Sequence, residues 1–341
     1  MTKKNTITTE SIKELFATFN STKVLIIGDV MIDSYISGKV ERISAEAPVP
    51  IVVVSKKEKR LGGAANVALN VQALGATPIL CTIIGSDQEG VTFLKLLKDK
   101  KIATIGVIQS KNRLTTVKTR ILGNNSQLIR IDEENDEESG NNETNQLIKK
   151  IDELLNTQKI DVIIFEDYDK GVITKSLIED AVKIANKKNI PICVDPKKRN
   201  FSHYKDVHLF KPNLKELHEG TKIDVNGNDL LHLHKVIGNF RNKQKIETIL
   251  VTLAEKGMVT HSKVTKKHLP AHTRSIVDVS GAGDTVISVA ALCKARGCND
   301  TVVATIANLA GGLVCEQAGV VPVNKELLLQ EVLSFNFGNN K

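Results

Sequence analysis

Short apolar runs that alternate with helical patterns are the feature that most constrains the fold of this chain. Apolar runs of the buried-strand type lie at 24–28, 79–84, 162–165, 190–194 and 249–252. Segments with apolar residues at helical spacing separate or follow them, at 64–74, 146–155, 175–187 and 284–295. A run that is apolar throughout is typical of a parallel strand covered on both faces. The alternation predicts βαβ units, and therefore an α/β fold with a doubly wound parallel sheet flanked by helices.

Two stretches, 34–57 and 105–131, depart from this pattern. Both are rich in β-branched residues that alternate with polar ones, as half-exposed antiparallel strands do. We therefore expect one domain over residues 1–341, with a small β lid inserted in it and built from about these two stretches. So few strands would expose an apolar face, which predicts that the lid pairs with its twin in a homodimer. A lid that packs only on its own active site is the alternative.

Composition and charge exclude several classes of protein. A hydrophobic share of 41% and a charged share of 25% are those of an ordinary globular chain. The net charge is +8, but lysine is scattered and aromatic residues make up only 4%, so we expect no nucleic-acid partner. The five cysteines include no CxxC pair, and His232 and His234 have no third ligand nearby, so no structural metal is expected. No apolar segment reaches the ~20 residues of a membrane span, and the N-terminus lacks a signal-like apolar region, which predicts a cytoplasmic protein without membrane contact.

A glycine-rich stretch near the C-terminus carries the clearest chemistry. Residues 278–284 read Asp-Val-Ser-Gly-Ala-Gly-Asp and open a long apolar helical pattern. Backbone N–H groups of Gly281, Ala282 and Gly283 at a helix start would form an anion hole. Asp284, on the first turn, would take a proton from an attacking hydroxyl. The stretch lacks the features of a Walker A loop and of a dinucleotide fingerprint, and a helix start with an acidic cap explains it equally well.

Two further motifs suggest a ligand site at the ends of strands. Gly62 and Gly63 form a glycine turn that allows a ligand close to the backbone, and Asn66 offers both a donor and an acceptor. Asp29 and Asp33 follow a buried strand, where open α/β sheets bind ligands, and paired carboxylates there would bind vicinal hydroxyls. The alternatives are a tight strand-to-helix turn and a loop with capping aspartates.

The turn Gly62-Gly63 with Asn66, and the stretch 278–284, resemble the two signatures of the ribokinase-like (PfkB) carbohydrate kinases. The two motifs lie at the family's usual separation, and the resemblance covers nearly the whole chain. The resemblance implies a ribokinase-like fold and ATP-dependent phosphorylation with Mg²⁺. It assigns Asp284 as the base, and it places Asp29, Asp33, Gly62, Gly63 and Asn66 at the sugar hydroxyls.

Other parts of the resemblance concern the nucleotide. Residues 211–216, Lys-Pro-Asn-Leu-Lys-Glu, resemble the family's NxxE motif, which implies that Asn213 and Glu216 lie at Mg²⁺ and the ATP phosphates. Residues 251–257 resemble its nucleotide-binding strand and turn, which implies ATP contacts at Thr252 and Gly257. Ala254 stands where that turn often has glycine. The likeness also implies that Asn308 lies near the adenosine, and that K⁺ binds beside Asp278.

Four longer stretches are most similar to the kinase domain of the D-glycero-β-D-manno-heptose-7-phosphate kinases; they are 28–33 with 42–50, 113–120 with 127–132, 167–171, and 195–197. This likeness implies phosphorylation of D-glycero-D-manno-heptose 7-phosphate at O1 to the 1,7-bisphosphate, for ADP-heptose and lipopolysaccharide core synthesis. Ala45, Glu166 and Ser280 depart from its pattern, and Glu166 stands where a small polar residue is expected. The chain has no HxGH motif, so we expect a separate nucleotidyltransferase to act downstream.

A substrate that already carries a phosphate needs cationic groups away from ATP, and arginine suits phosphate well. The candidates lie in the stretches just described; they are Arg42, Lys118, Arg120, Arg130 and Lys197. Surface lysines and arginines of a basic chain are the alternative. Motifs shared across the family leave open a kinase of fructose, ribose or fructose 6-phosphate. A non-catalytic sugar- or nucleotide-binding regulator, and a dinucleotide-dependent oxidoreductase, also stay open.

Overall fold

The computed structural model describes residues 8–124, 126–272 and 274–335. Thirteen strands lie in these ranges; they are β1 (Lys23–Gly28), β2 (Val30–Ile43), β3 (Pro50–Gly63), β4 (Thr77–Gly85), β5 (Ala103–Ser110), β6 (Val117–Gly123), β7 (Ser126–Glu133), β8 (Val162–Glu166), β9 (Ile192–Asp195), β10 (Leu209–Phe210), β11 (Thr248–Thr252), β12 (Met258–Ser262) and β13 (Lys266–Leu269). They form one large and one small sheet.

Ten α-helices lie in the same ranges; they are α1 (Thr9–Thr18), α2 (Ala64–Ala73), α3 (Gln88–Asp99), α4 (Asn141–Thr157), α5 (Lys175–Lys187), α6 (Leu214–Thr221), α7 (Leu230–Gln244), α8 (Ala282–Ala295), α9 (Asp300–Cys315) and α10 (Lys325–Ser334). Two short 3-10 turns lie at Phe19–Ser21 and Ala254–Lys256. No helix of the described residues is long and apolar enough to cross a membrane.

The large sheet has nine strands in the order β13-β12-β11-β10-β9-β8-β1-β4-β5. The seven strands from β11 to β5 in this order are parallel to their neighbours, whereas β12 is antiparallel to both β11 and β13. Strand β1 shows how both faces are covered: Val24 and Ile26 enter one apolar core with α2, α8 and α9, whereas Leu25 and Ile27 enter another with α4, α5 and α7. The predicted doubly wound α/β fold is therefore confirmed.

Two strands of the small sheet, β2 and β3, lie between β1 and α2, and its other two, β6 and β7, follow β5. Its order is β3-β2-β6-β7, with β2 parallel to β6 and the outer pairs antiparallel. The predicted lid stretch 105–131 is wrong for residues 105–110, which belong to β5 at the edge of the large sheet. An edge strand is half exposed, so its residue pattern matches that of a small-sheet strand.

Candidate active site

The candidate site lies where neighbouring parallel strands of the large sheet end. The carboxyl ends of β11, β10, β9, β8 and β1 meet at one edge, and open α/β sheets bind ligands there. The residues that end or directly follow these strands are Thr252, Lys211, Asp195, Glu166 and Gly28. Helix α8 begins at the same edge, because Gly283 approaches both Lys211 and Asp195.

Asp284 lies on the first turn of α8, with its side chain directed into the protein. The residue is only 6% exposed. One of its carboxylate oxygens accepts a hydrogen bond of 2.6 Å from the Asn66 amide, and the other accepts one of 2.9 Å from the Tyr168 hydroxyl. Burial raises the pKa of Asp284 to about 6, with a further contribution from Asp195, while both hydrogen bonds and Lys211 oppose the rise. Asp284 is therefore a positioned carboxylate that is ionised at neutral pH.

The glycine turn before Asp284 has the backbone conformation that an anion hole needs. Gly281 caps α8 with φ of 79°, in the left-handed region that favours glycine, and a Cβ there would lie 3.0 Å from Val320. A Cβ on Gly283 would lie 3.5 Å from the Lys211 Nζ. The N–H groups of Gly281, Ala282 and Gly283 lie at a helix start, beside a buried ammonium group. The anion hole predicted for these three N–H groups requires such a position at a helix start.

A cluster of buried charges surrounds Asp284. Lys211 forms an ion pair of 2.8 Å with Asp195, and both residues are buried. Carboxylate oxygens of Glu166, Asp195 and Asp284 lie within 4.8 Å of one another. Burial, together with the charges of Asp195 and Asp284, raises the pKa of Glu166 well above its usual range. The site therefore gathers three carboxylates around one directly paired lysine.

Asn213 and Glu216 form a helix cap at the start of α6. The Asn213 side-chain oxygen accepts from the Glu216 N–H at 2.8 Å, and Glu216 Oε2 accepts from the Asn213 N–H at 2.9 Å. Glu216 Oε1 accepts from the Lys197 ammonium group. The predicted Mg²⁺ pair thus presents no unpartnered ligand oxygen, and the contacts are those of a capping box. Lys197, predicted at the substrate phosphate, also lies 5.5 Å from the centre of the Tyr168 ring.

Asp29 requires a correction to the predicted sugar site. It is 1% exposed, and its two carboxylate oxygens accept hydrogen bonds from the backbone N–H groups of Tyr168, Lys170 and Val172, at 2.9 to 3.1 Å. Its carboxylate is therefore used to hold the segment that follows β8, and it does not present an exposed oxygen to a sugar. Burial raises its pKa, while these three hydrogen bonds oppose the rise.

Asp33 differs from Asp29 because it faces a side chain. Asp33 Oδ1 accepts a hydrogen bond of 2.6 Å from Arg120, on the neighbouring strand β6. Gly62 lies against Asp33, and a Cβ on Gly62 would clash with the Asp33 carboxylate. Gly63 has φ of 60°, and a Cβ there would lie 2.5 Å from the Asp29 carbonyl oxygen. The glycine pair is thus required where β3 pairs closely with the start of β2 near Asn66, which makes it part of the site's framework.

The remaining basic candidates do not form one cluster. Lys118 pairs with Asp132 and Glu134, at 3.0 and 2.7 Å. Arg130 pairs with Asp132 at 2.9 Å, on the exposed strand β7. Arg42 is exposed near the far end of β2. Of the five predicted residues, Arg120 is the one that contacts another predicted substrate residue.

The predicted nucleotide residues lie along the ends of β11 and its turn. Thr252 is bridged to Asn213, and Gly257 has φ of 88°, where a Cβ would meet the backbone at Leu269. Ala254 has φ of 51°, so it occupies the conformation for which glycine is better suited. The Asn308 amide donates to the Pro270 carbonyl oxygen at 3.0 Å.

Asp278 ties two loops together beside the glycine turn. Its carboxylate accepts from the Ser280 N–H at 2.9 Å and from the Gly319 N–H at 3.1 Å. The Ser280 hydrogen bond lowers the pKa of Asp278. An ionised carboxylate lies where a monovalent cation is predicted, and that role stays a prediction.

Sequence reasoning missed Tyr168, Asp195 and Lys211 as site residues, and also Arg60 and Tyr35 on the small sheet. The signal was present, because Asp195 directly follows the predicted strand 190–194 and Tyr168 lies three residues after the predicted strand 162–165. Arg60 pairs in register with Asp33, and the Arg60 and Arg120 guanidinium groups lie 5.0 and 5.4 Å from the centre of the Tyr35 ring. Arg60 therefore lies on the same face of the small sheet as Asp33, a register that alternation within single strands does not reveal.

The site places a buried carboxylate behind a glycine-led helix start at one edge of a doubly wound sheet. Residues 21–326 match the pfkB family carbohydrate kinases, and the chain belongs to that family.

Curated relatives are similar over most of the chain. The bifunctional protein HldE of Geobacter sulfurreducens is 33% identical over 92% of this chain and 64% of its own length. That of Helicobacter pylori strain J99 is 38% identical over 87% of this chain and 63% of its own length. The chain thus spans less than two thirds of the length of these relatives.

Solved structures share the fold. The phosphofructokinase-2 of Escherichia coli in complex with fructose-6-phosphate superimposes with a TM-score of 0.75, at 17% identity, over 92% of this chain and 98% of that one. The ribokinase of Arabidopsis thaliana complexed with ribose and ATP gives 0.70 at 16% identity, over 92% and 99% of the two chains. The protein is a carbohydrate kinase with the ribokinase-like fold.

Proposed function

We propose that this carbohydrate kinase transfers a phosphoryl group from ATP to O1 of D-glycero-D-manno-heptose 7-phosphate. The observation that carries the reaction is the buried Asp284 carboxylate, held by Asn66 and Tyr168 at a glycine-led helix start. The choice of sugar is supported by the four stretches that resemble heptose-7-phosphate kinases. The curated HldE relatives match over about the same part of the chain and support it as well.

Asp284 acts as the base in this proposal. Its pKa of about 6 leaves it ionised at neutral pH, and a carboxylate oxygen can then accept the proton of the attacking sugar hydroxyl. The N–H groups of Gly281, Ala282 and Gly283 receive the oxygens of the transferring group, whose charge is spread over three oxygens. ATP brings Mg²⁺, which neutralises phosphate charge. The Lys211 ammonium group adds a fixed positive charge beside Gly283.

The far phosphate of the substrate needs cations, and one face of the small sheet supplies them. Strand register places Arg60 and Lys118 opposite Asp33, and Arg120 donates to the Asp33 carboxylate at 2.6 Å. A phosphate here would share the arginine with Asp33, because a guanidinium group has five donors. We propose Arg120 as the principal phosphate ligand, with Arg60 beside it.

The product is a sugar 1,7-bisphosphate, which carries an activated anomeric phosphate. The reaction that consumes it is nucleotidyl transfer, after removal of the second phosphate, toward ADP-heptose and the lipopolysaccharide core. We propose that a nucleotidyltransferase acts after this kinase. The word bifunctional in the names of the curated relatives supports a second activity beside the kinase in those proteins.

The substrate is tested by ADP release with five-, six- and seven-carbon sugars and their phosphates. We expect the highest kcat/KM with the phosphorylated heptose. Arg120→Ala should raise its KM by more than about tenfold, as for loss of a charge-assisted hydrogen bond, and leave the KM of ATP unchanged. Arg241→Ala is the matched control, because Arg241 binds backbone carbonyls at the opposite edge of the sheet. A preference for an unphosphorylated sugar, or for fructose 6-phosphate, contradicts the proposal.

We also propose a homodimer through the small sheet. Ile129 and Ile131 are 55% and 45% exposed on the face opposite Asp33, next to Ile36 and Ile121 in the sheet register. A four-stranded sheet with an open apolar face is a surface that a second copy covers by two-fold symmetry. Sedimentation at micromolar concentration should show a dimer, and Ile129→Asp should give a folded monomer. A monomeric wild-type protein refutes this part.

A further inference from the structure

We propose that Cys293 and Cys298, at the C-terminal end of α8, are a modification site that forms a disulfide when a hydroperoxide oxidises the protein. The five cysteines are free thiols in this structure, and the end of α8 brings these two together. Asp284 lies on the first turn of the same helix, so the two cysteines lie at the other end from the base. The proposal therefore concerns a part of the molecule that the kinase reaction does not use.

The end of α8 is a Schellman motif, and this motif determines which residues meet. The Gly297 N–H donates to the Lys294 carbonyl oxygen at 3.0 Å, and the Cys298 N–H donates to the Cys293 carbonyl oxygen at 3.1 Å. Gly297 has φ of 69°, in the left-handed region that the motif requires. In such a motif, the side chain after the glycine packs against the side chain five positions earlier. Here those two side chains are the thiols of Cys298 and Cys293.

The separation of the two residues fits a disulfide. Residues joined by backbone N–H···O=C bonds have Cα atoms roughly 5.5 Å apart in paired strands. A disulfide spans Cα separations of about 4.4–6.8 Å, so a backbone hydrogen bond between Cys293 and Cys298 holds them at a suitable distance. Their thiols also form a hydrogen bond with each other. The bridge therefore requires little movement of the backbone.

The two thiols differ in exposure and acidity, which assigns a role to each. Cys298 is partly exposed, whereas Cys293 is fully buried in the apolar core. The hydrogen bond from the Cys293 thiol lowers the pKa of Cys298, and the Lys294 ammonium group adds to this effect, while burial opposes it. The same hydrogen bond and burial raise the pKa of Cys293 well above its usual range. Cys298 is thus the thiol that reacts with the oxidant, and Cys293 is the thiol that reacts with the product.

The reaction proceeds in two balanced steps, written here for hydrogen peroxide. The Cys298 thiolate attacks one peroxide oxygen, the O–O bond breaks, and the leaving hydroxide takes up the proton of the former thiol as water. Cys298 is then a sulfenic acid. The Cys293 sulfur attacks the Cys298 sulfur, the S–O bond breaks, and the leaving oxygen takes the Cys293 proton as a second water. The two thiols lose two electrons in total, and the peroxide accepts both.

The disulfide is detected by peptide mapping of the full chain after hydrogen peroxide treatment and blocking of the remaining thiols. Trypsin cleaves after Lys294 and after Arg296, so the expected disulfide joins peptide 275–294 to peptide 297–325. Dithiothreitol should separate the two peptides. Titration of thiols in denaturant should show that peroxide removes two of the five thiols, and that dithiothreitol restores them.

Three variants test the roles of the individual thiols. Cys315→Ser is the matched control, because Cys315 lies on the same tryptic peptide as Cys298; it should form the disulfide as wild type does. Cys298→Ser changes the partly exposed thiol, and should form no disulfide and lose no thiol. Cys293→Ala removes the second thiol, so Cys298 should proceed to a sulfinic acid, with a gain of two oxygen atoms that dithiothreitol does not reverse.

Three results overturn the proposal. The first is an oxidised wild type without the linked peptides. The second is a link from peptide 275–294 to peptide 189–197, which would identify the buried Cys193 as the partner. The third is a link that persists in Cys298→Ser. Kinase assays with the sugar panel are scored separately, so a failure of the heptose proposal leaves the disulfide result unaffected.

Discussion

Removing the Tyr168 hydroxyl should shift the pH dependence of the kinase reaction without removing the base. The hydroxyl donates to Asp284 at 2.9 Å, and it is one of two side-chain hydrogen bonds that stabilise the ionised carboxylate. Tyr168→Phe keeps the ring, which lies 5.5 Å from the Lys197 ammonium group. The substitution therefore changes one interaction of the base and little else.

The size of the shift follows from the strength of that hydrogen bond. A hydrogen bond to a charged group contributes about 1.5–3 kcal/mol, and one pKa unit corresponds to about 1.4 kcal/mol. Loss of the bond should thus raise the pKa of Asp284 by about 1–2 units. The pKa is about 6 in the wild type, so a value of about 7–8 is expected in the variant.

The assay is kcat/KM for the sugar between pH 5 and 9, because this ratio reports the pKa of the free enzyme. The base accepts a proton only when it is ionised, so the rate rises with pH through the pKa of Asp284. Wild type should reach half of its maximum near pH 6. Tyr168→Phe should do so about 1–2 units higher and approach wild type at pH 9.

Tyr204→Phe is the matched control. Tyr204 is a fully buried tyrosine whose hydroxyl donates to Asp167 at 3.0 Å and does not contact Asp284. In this variant, kcat/KM should still reach half of its maximum near pH 6. Two results for Tyr168→Phe would contradict the prediction: a half-maximal kcat/KM that also stays near pH 6, or a kcat/KM that falls equally at every pH. Either would show that the hydroxyl does not set the pKa of Asp284.

Three further changes test other contacts. Asp284→Asn should lower kcat by about 10²–10⁴ while ATP binding by calorimetry stays intact; more than half of the wild-type rate would contradict its role as base. Lys211→Met should cost about 3–5 kcal/mol of unfolding free energy in a urea titration, because it leaves Asp195 buried without its cation. Asp29→Asn should lower Tm and kcat together, because an amide has one acceptor oxygen where the carboxylate uses two to accept three backbone N–H groups. An unchanged kcat would show that the segment 168–172, which Asp29 holds, does not position the base.

The parallel part of the fold could be predicted because its signal is local. The buried strand β8 is apolar over residues 162–165, and that pattern indicates a strand covered on both faces. Residues 105–110 show what such a local pattern does not predict. Their pattern describes a half-exposed strand correctly, but pairing with β4 depends on residues far along the chain. Sequence patterns therefore predicted the kind of strand and not its sheet.

The two aspartates after β1 show the same limit within the site. Asp29 and Asp33 are equally good candidates in the sequence, yet one holds a backbone segment and the other pairs with Arg120. The difference arises from Tyr168, which is 139 residues from Asp29 in the chain. Asn66 and Asp284 were predicted from separate motifs, and their hydrogen bond spans 218 residues. Motifs identified these residues, whereas the partner of each carboxylate depends on tertiary packing.

The strength of the base illustrates why that packing matters for function. The glycine motif supplies Asp284 and its backbone, but a solvated aspartate on such a turn would have a pKa of about 3.9. The pKa of about 6 comes from burial and from Asp195, which ends a strand far from the motif in sequence. Tyr168 opposes the rise, and its position depends on the three hydrogen bonds that Asp29 accepts. The motif therefore determines which residue accepts the proton, while the ends of β1, β8 and β9 determine the pH range in which it does so.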